Sequence, residues 1–136
     1  PDSLLNALET IHSFAKKDIY CVIGCGGDRD KGKRAKMAKI AVEYSTKPIF
    51  TADNPRTEDP QAILNDMLAG VPNDHPEVHI DRREAITKAV ESAKSGDVIL
   101  IAGKGHEDYQ ILGRTKHHFD DCEEAAKALA LKPVAD

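Results

Sequence analysis

The chain has 136 residues, 40% of them hydrophobic and 31% charged, the balance of one folded domain rather than a disordered segment. A net charge of −4 argues against a general nucleic-acid or anionic-membrane binder, and no apolar run approaches the roughly 20 residues that span a bilayer. With no signal peptide in view, a cytoplasmic protein with no nucleic-acid and no membrane partner is the expectation.

The opening PDSLLNALETIHSFAK predicts an amphipathic helix, with Asp2 or Ser3 as its cap and Leu4, Leu5, Leu8, Ile11 and Phe14 at helical spacing. A start at Pro1 instead of Met suggests a piece of a longer chain. His12, beside the stripe, reads as a partly exposed helix residue.

The apolar β-rich run 19–23 then breaks into Gly24, Gly26 and Gly27, crosses four charged residues and enters a helical pattern after Gly32. A strand, a glycine-rich turn and a helix N-terminus present free backbone N–H groups and a helix dipole to an anion. Two phosphate signatures nearly fit. Gly27 to Lys33 reads G-x-x-x-x-G-K, but Arg34 stands where a Walker loop needs a hydroxyl for magnesium. Gly24-Cys25-Gly26 starts a dinucleotide fingerprint, but Arg29 takes the place of its third glycine. The stretch is therefore expected to face an anion without forming a complete nucleotide site.

Cys21, Cys25 and Cys122 lack C-x-x-C spacing, which disfavours a disulfide framework and a zinc site. Cys21 reads as a small buried strand residue. Cys25 reads as a small residue filling a tight turn rather than as a nucleophile.

Residues 33–45 predict a helix with Met37, Ala38, Ile40, Ala41 and Tyr44 inward. Its first turn carries Lys33, Arg34 and Lys36 against the dipole, suiting either a solvated surface or a site that receives negative charge. Strand 47–51 runs into Asp53-Asn54-Pro55-Arg56, where turn chemistry accounts for the first three residues and Arg56 is left as a planar cation suited to carboxylates. Asp59 caps a helix with Pro60 at its first position, running through Ile63, Leu64, Met67 and Leu68 to a stop at Gly70.

A short strand at 78–80 and a helix at 82–94, inward through Ala85, Ile86, Ala89, Val90 and Ala93, come next. The most apolar strand, 98–102, has the continuous pattern of a mid-sheet strand and ends in Gly103-Lys104-Gly105-His106-Glu107. Residues 110–112 and 116–119 flank Gly113-Arg114 as an antiparallel hairpin at the sheet edge. Asp120 with Glu123 resembles a capping box for a closing helix through Ala125, Ala126, Leu129 and Ala130.

This alternation predicts one three-layer, Rossmann-like α/β domain with a mostly parallel sheet and an antiparallel edge hairpin. In a parallel sheet the strand ends share one edge, so the segments after residues 23, 51 and 102 converge. Two arginines with a carboxylate suit a small zwitterion, the arginines meeting its carboxylates and Glu107 its ammonium. No Ser-His-Asp arrangement, base–nucleophile pair or metal-ligand cluster is apparent, so neither a catalytic residue nor a metal is expected here. His106 reads equally as a base or as a partner of nearby backbone.

GCGGDRDKGKR, DNPR with EDP after it, and AGKGHEDYQ resemble, in this order and over essentially the whole chain, the C-terminal domain of the Mur ligases. The match is to the branch of that family that adds meso-diaminopimelate in peptidoglycan synthesis. The resemblance implies an ATP-dependent ligase that activates the D-glutamyl carboxylate of a UDP-N-acetylmuramoyl-dipeptide as an acyl phosphate, which the amine of the amino acid attacks. It implies that Arg29, Asp53, Asn54, Pro55, Arg56, Gly103 and Glu107 hold the meso-diaminopimelate. Lys31 and Lys33 would approach the phosphates of ATP or form a solvated basic turn. ATP and its Mg2+ would be bound mainly by a central domain and the UDP end by an N-terminal one. Residues 1–136 would then be one part of a three-domain enzyme and inactive alone. A free-standing small-molecule or nucleotide-binding α/β module, and a lysine-adding ligase of the same family, are the other readings.

Overall fold

The structure, a computed structural model, describes residues 2–26, 32–53, 57–94, 96–102, 109–112 and 115–118. In chain order its elements are α1 (Asp2–Phe14), β1 (Ile19–Cys25), α2 (Gly32–Tyr44), β2 (Lys47–Ala52), α3 (Pro60–Ala69), β3 (Glu77–Val78), α4 (Arg82–Ser92), β4 (Val98–Ala102), β5 (Tyr109–Leu112) and β6 (Thr115–His118).

Side chains of a strand point alternately to its two faces, and β1 uses both. Its odd residues, Cys21, Ile23 and Cys25, pack with Phe50 of β2 under Leu4 and Leu8 of α1, Ala38 and Ala41 of α2, and Ile63, Leu64 and Met67 of α3. Its even residues, Tyr20 and Val22, pack with Ile49 under Ala85, Ile86, Ala89 and Val90 of α4. The result is the expected three layers: three helices, a sheet, and α4 on the far face.

The sheet is four-stranded and parallel in the order β3-β2-β1-β4. All seven residues of β1 are buried, so β1 holds the middle of the sheet. That place was expected for β4, which is an end strand of the described sheet with every residue half-buried. A parallel strand is apolar because helices cover both faces, and that says little about its lateral position.

Other expectations are corrected in detail. Phe14 is 60% exposed, because the last turn of α1 runs past the packed stripe of Leu4 and Leu8. The third strand is Glu77–Val78 rather than 78–80, and Ile80 is 48% exposed. The hairpin pairs antiparallel from Tyr109↔His118 to Leu112↔Thr115, slightly earlier than expected, and among the described residues it forms a two-stranded sheet. The closing helix expected from Asp120 onward lies outside the described residues.

The helix starts follow the sequence closely. Asp59 accepts a 3.0 Å hydrogen bond from Gln61 N ahead of Pro60, and Asp81 caps α4 by accepting from Arg83 N at 3.0 Å. Gly70 does end α3, but not in the left-handed conformation its type suggests: φ is −76°. Its value is room, since a Cβ there would lie 2.7 Å from the Ala35 carbonyl oxygen and 2.8 Å from Ala35 Cα. Glycine lets the end of α3 close against α2.

Candidate functional site

The register aligns Cys25 with Ala52 and Ile23 with Ala102, so β1, β2 and β4 all end on one edge of the sheet. Adjacent strands lie about 4.8 Å apart, which brings the three stems within reach of one small molecule. The chain builds outward on one side of β1, then crosses by way of α4 to the other side, so the β1/β4 boundary is a topological switch point. In open α/β sheets ligands collect outside the carboxyl ends of strands at such a point.

Of the residues expected to form the site, Asp53 and Lys33 are described. Asp53 follows the end of β2 and is 5% exposed, while Lys33 is exposed in the first turn of α2. Arg29, Lys31, Asn54, Pro55, Arg56, Gly103 and Glu107, with His106, lie outside the described residues. Gly24 brings the stems of β1 and β2 close: a Cβ there would lie 2.8 Å from both Ala52 C and Asp53 N.

The first turn of α2 matches the solvated reading at its lysines and departs from it at Arg34. Lys33 and Lys36 are exposed, but Arg34 is 1% exposed and turned inward. Its Nη1 donates to Glu58 Oε2 at 3.0 Å and to Asp66 Oδ2 at 2.9 Å, while Nη2 donates to Glu58 Oε1 at 2.8 Å and to the Gly26 carbonyl at 3.1 Å. The negative charge this turn receives is the protein's own. The bond to Glu58 raises the guanidinium pKa against burial, which lowers it, and Asp66 adds to the rise.

A second buried arginine escaped the sequence reading. Arg82, the first residue of α4, is 0% exposed; its Nη1 donates to the Ala52 carbonyl at 3.0 Å and its Nη2 to the Ala102 carbonyl at 3.2 Å. Those carbonyls close β2 and β4, the strands on either side of β1. A signal for it existed: Arg82, Ala85, Ile86, Ala89, Val90 and Ala93 share one helical stripe, which places the arginine on the buried face.

Cys25 is the last residue of β1 rather than part of a turn, and is 6% exposed. Its thiol donates to the Met37 sulfur at 3.8 Å. Burial pushes its pKa up to about 11, Arg34 pulling it down and Asp53 raising it further, and burial pushes Cys21 up to about 12. Both are packing residues. Native protein treated with iodoacetamide at pH 8 should leave Cys21 and Cys25 unmodified by peptide mapping, while denatured protein should label both; rapid labelling of native Cys25 would contradict its burial.

Among the described residues no group of three or more His, Cys, Asp or Glu could hold a metal ion, and no helix is long and apolar enough to cross a membrane. At the position where a Walker loop puts its magnesium-binding hydroxyl, the guanidinium of Arg34 is committed to Glu58 and Asp66. These residues do not fit a magnesium–nucleotide centre. A cavity of about 520 Å³ opens at the opposite, amino-terminal edge of the sheet, among Tyr20, Lys47, Pro48, His75 and Glu77, and holds none of the expected site residues.

Fold and edge together define a Rossmann-like parallel α/β domain with three of its strands ending on one edge. The family model for the Mur ligase, glutamate ligase domain, matches residues 1–105, and the chain belongs to that family. A relative from Lactiplantibacillus plantarum, named UDP-N-acetylmuramoyl-L-alanyl-D-glutamate--2,6-diaminopimelate ligase, is 78% identical over 136 residues, all of this chain and 28% of its own length. A ligase of the same name from Listeria innocua is 62% identical over 133 residues, 97% of this chain and 27% of its own. A solved structure of a ligase of that name superposes with a TM-score of 0.90 at 43% identity, over 96% of this chain and 27% of that one. The chain thus spans just over a quarter of the length of the relatives it matches.

Proposed function

We propose that this chain is the C-terminal, amino-acid-binding domain of a three-domain cytoplasmic ligase that adds meso-diaminopimelate to UDP-N-acetylmuramoyl-L-alanyl-D-glutamate in peptidoglycan synthesis. The observation that carries this reading is the convergence of the β1, β2 and β4 ends on one edge, because the segments they launch contain Arg29, Asp53-Asn54-Pro55-Arg56 and Gly103 to Glu107. The names borne by the relatives supply the ligand class. In this reading ATP, held with Mg2+ mainly by the central domain, activates the D-glutamyl carboxylate. The present chain holds the amino acid: Arg29 and Arg56 meet its carboxylates, and Asp53, Asn54, Pro55, Gly103 and Glu107 complete the site. Its contribution to rate is orientation of the amine and exclusion of water when the domains close. Lys31 and Lys33 then face the phosphates.

The test is amino-acid choice by the full-length ligase supplied with ATP and the UDP-linked dipeptide. Meso-diaminopimelate should be preferred over L-lysine by about 100-fold or more in kcat/KM, the two charge-assisted hydrogen bonds lysine cannot make being worth that much. The isolated 136-residue chain should hydrolyse no ATP. Equal use of the two amino acids would sink the substrate assignment, and ATPase activity of the pure chain would sink the division of labour.

A further inference from the structure

We propose that Arg34 and Arg82 are positioning residues that together brace the ligand edge, fixing the ends of β1, β2 and β4 relative to one another and thereby setting the selectivity for the amino acid. The proposal rests on the diaminopimelate reading above and adds to it two residues that do not themselves touch the substrate.

Each guanidinium joins two of the three stems. Arg34 bonds the Gly26 carbonyl, one residue beyond β1, and also Glu58, two residues beyond Arg56. Arg82 bonds the Ala52 carbonyl, one residue before Asp53, and the Ala102 carbonyl, one residue before Gly103. Ala52 and Glu58, which bracket Asp53 to Arg56 in the sequence, are therefore each bonded by one of the two arginines. Each arginine reaches on to one further stem.

The geometry requires a fork. The Ala52 and Ala102 carbonyls belong to strands two apart in the sheet, separated by β1, and a parallel ladder gives them no direct bond to each other. Arg82 comes from α4, whose face of the sheet receives the even residues of β1. Gly24 is the next even residue, and it presents no side chain there. A planar group with two separate nitrogens spans such a gap with one nitrogen on each carbonyl, whereas lysine would have to reach both acceptors from a single nitrogen. Both guanidinium groups are also almost wholly buried, at 1% and 0% exposure, so neither is spending its charge on solvent.

The test is the ratio of kcat/KM for meso-diaminopimelate to kcat/KM for L-lysine in the full-length ligase carrying Arg34→Lys or Arg82→Lys. These variants keep the positive charge and lose the fork. A loss of folded enzyme scales both activities equally and leaves the ratio where it was, so the ratio reads positioning and not stability. It should fall about tenfold or more in each variant, with the KM for ATP little changed, because a displacement on the order of an ångström at a binding group has effects of that size. Glu58→Ala cuts the tie from Arg34 to Glu58 without touching the arginine and Arg82→Met removes the Arg82 arm; they stand in if a lysine variant does not accumulate, with the same expectation. A ratio within about threefold of the wild type in the folded variants of either arm overturns the brace, since misplacement at this edge should cost far more. A wild-type ratio near one fails the substrate reading instead, which separates the two.

Discussion

In the full-length ligase, Arg56→Ala should raise the KM for meso-diaminopimelate about 100-fold and lower kcat as well, while leaving the KM for ATP close to the wild type. Diaminopimelate and lysine share a backbone and a distal amine, and differ in the second carboxylate. A guanidinium meets a carboxylate with two parallel hydrogen bonds, each worth about 1.5 to 3 kcal/mol when charged, so losing both removes at least two orders of magnitude in affinity. The fall in kcat follows from the other end of the molecule: an amino acid no longer pinned by its distal carboxylate leaves its amine misplaced for attack. Arg56→Lys keeps the charge and loses the fork, and should fall between the two. Steady-state kinetics with both amino acids checks this, because activity with lysine should change far less than activity with diaminopimelate. Unchanged parameters for diaminopimelate would remove Arg56 from the site.

Layer order and helix starts were legible because they are written locally. Asp59-Pro60 and Asp81 are capping signals, the odd and even residues of β1 are both apolar, and α2 and α3 carry their stripes in phase. Which strand lies in the middle was not local: β1 and β4 are both continuous apolar runs, and only pairing separates them. The convergence of the three stems followed from parallel topology alone, before any side chain was placed. The two arginines divide on the same line. Arg82 was readable, since it sits in phase with the buried stripe of α4, though a charged residue invites assignment to the solvent face. Arg34 was not, because Glu58 and Asp66 lie 24 and 32 residues away and become its partners only when α3 packs on α2. A buried ion pair closed by tertiary packing leaves no periodic trace in the sequence.

Arg34→Met should destabilise the 136-residue chain by about 3 to 5 kcal/mol, the usual cost of breaking a buried ion pair by removing one partner. The reason is less the lost attraction than what stays behind. The Glu58 side chain is only 18% exposed and would keep a charge with its guanidinium gone, and the Gly26 carbonyl would lose a donor. Asp66 is different: at 45% exposure water replaces the arginine, so Asp66→Asn should cost well under about 1 kcal/mol. Glu58→Gln should fall between, because a neutral amide still accepts one of the two hydrogen bonds from Arg34. A domain of this size holds about 5 to 15 kcal/mol in all, so the arginine variant should lose about a fifth or more of its stability and its urea midpoint should drop by about 2 M. Combining Arg34→Met with Glu58→Met gives the sharper check. If the cost of the single variant is the stranded carboxylate, the double variant should be more stable than Arg34→Met alone, since two apolar side chains of similar length can pack where the pair was. Additive losses in urea denaturation would instead mean that Arg34 stabilises the fold through its backbone contact and packing, with the pair to Glu58 contributing little.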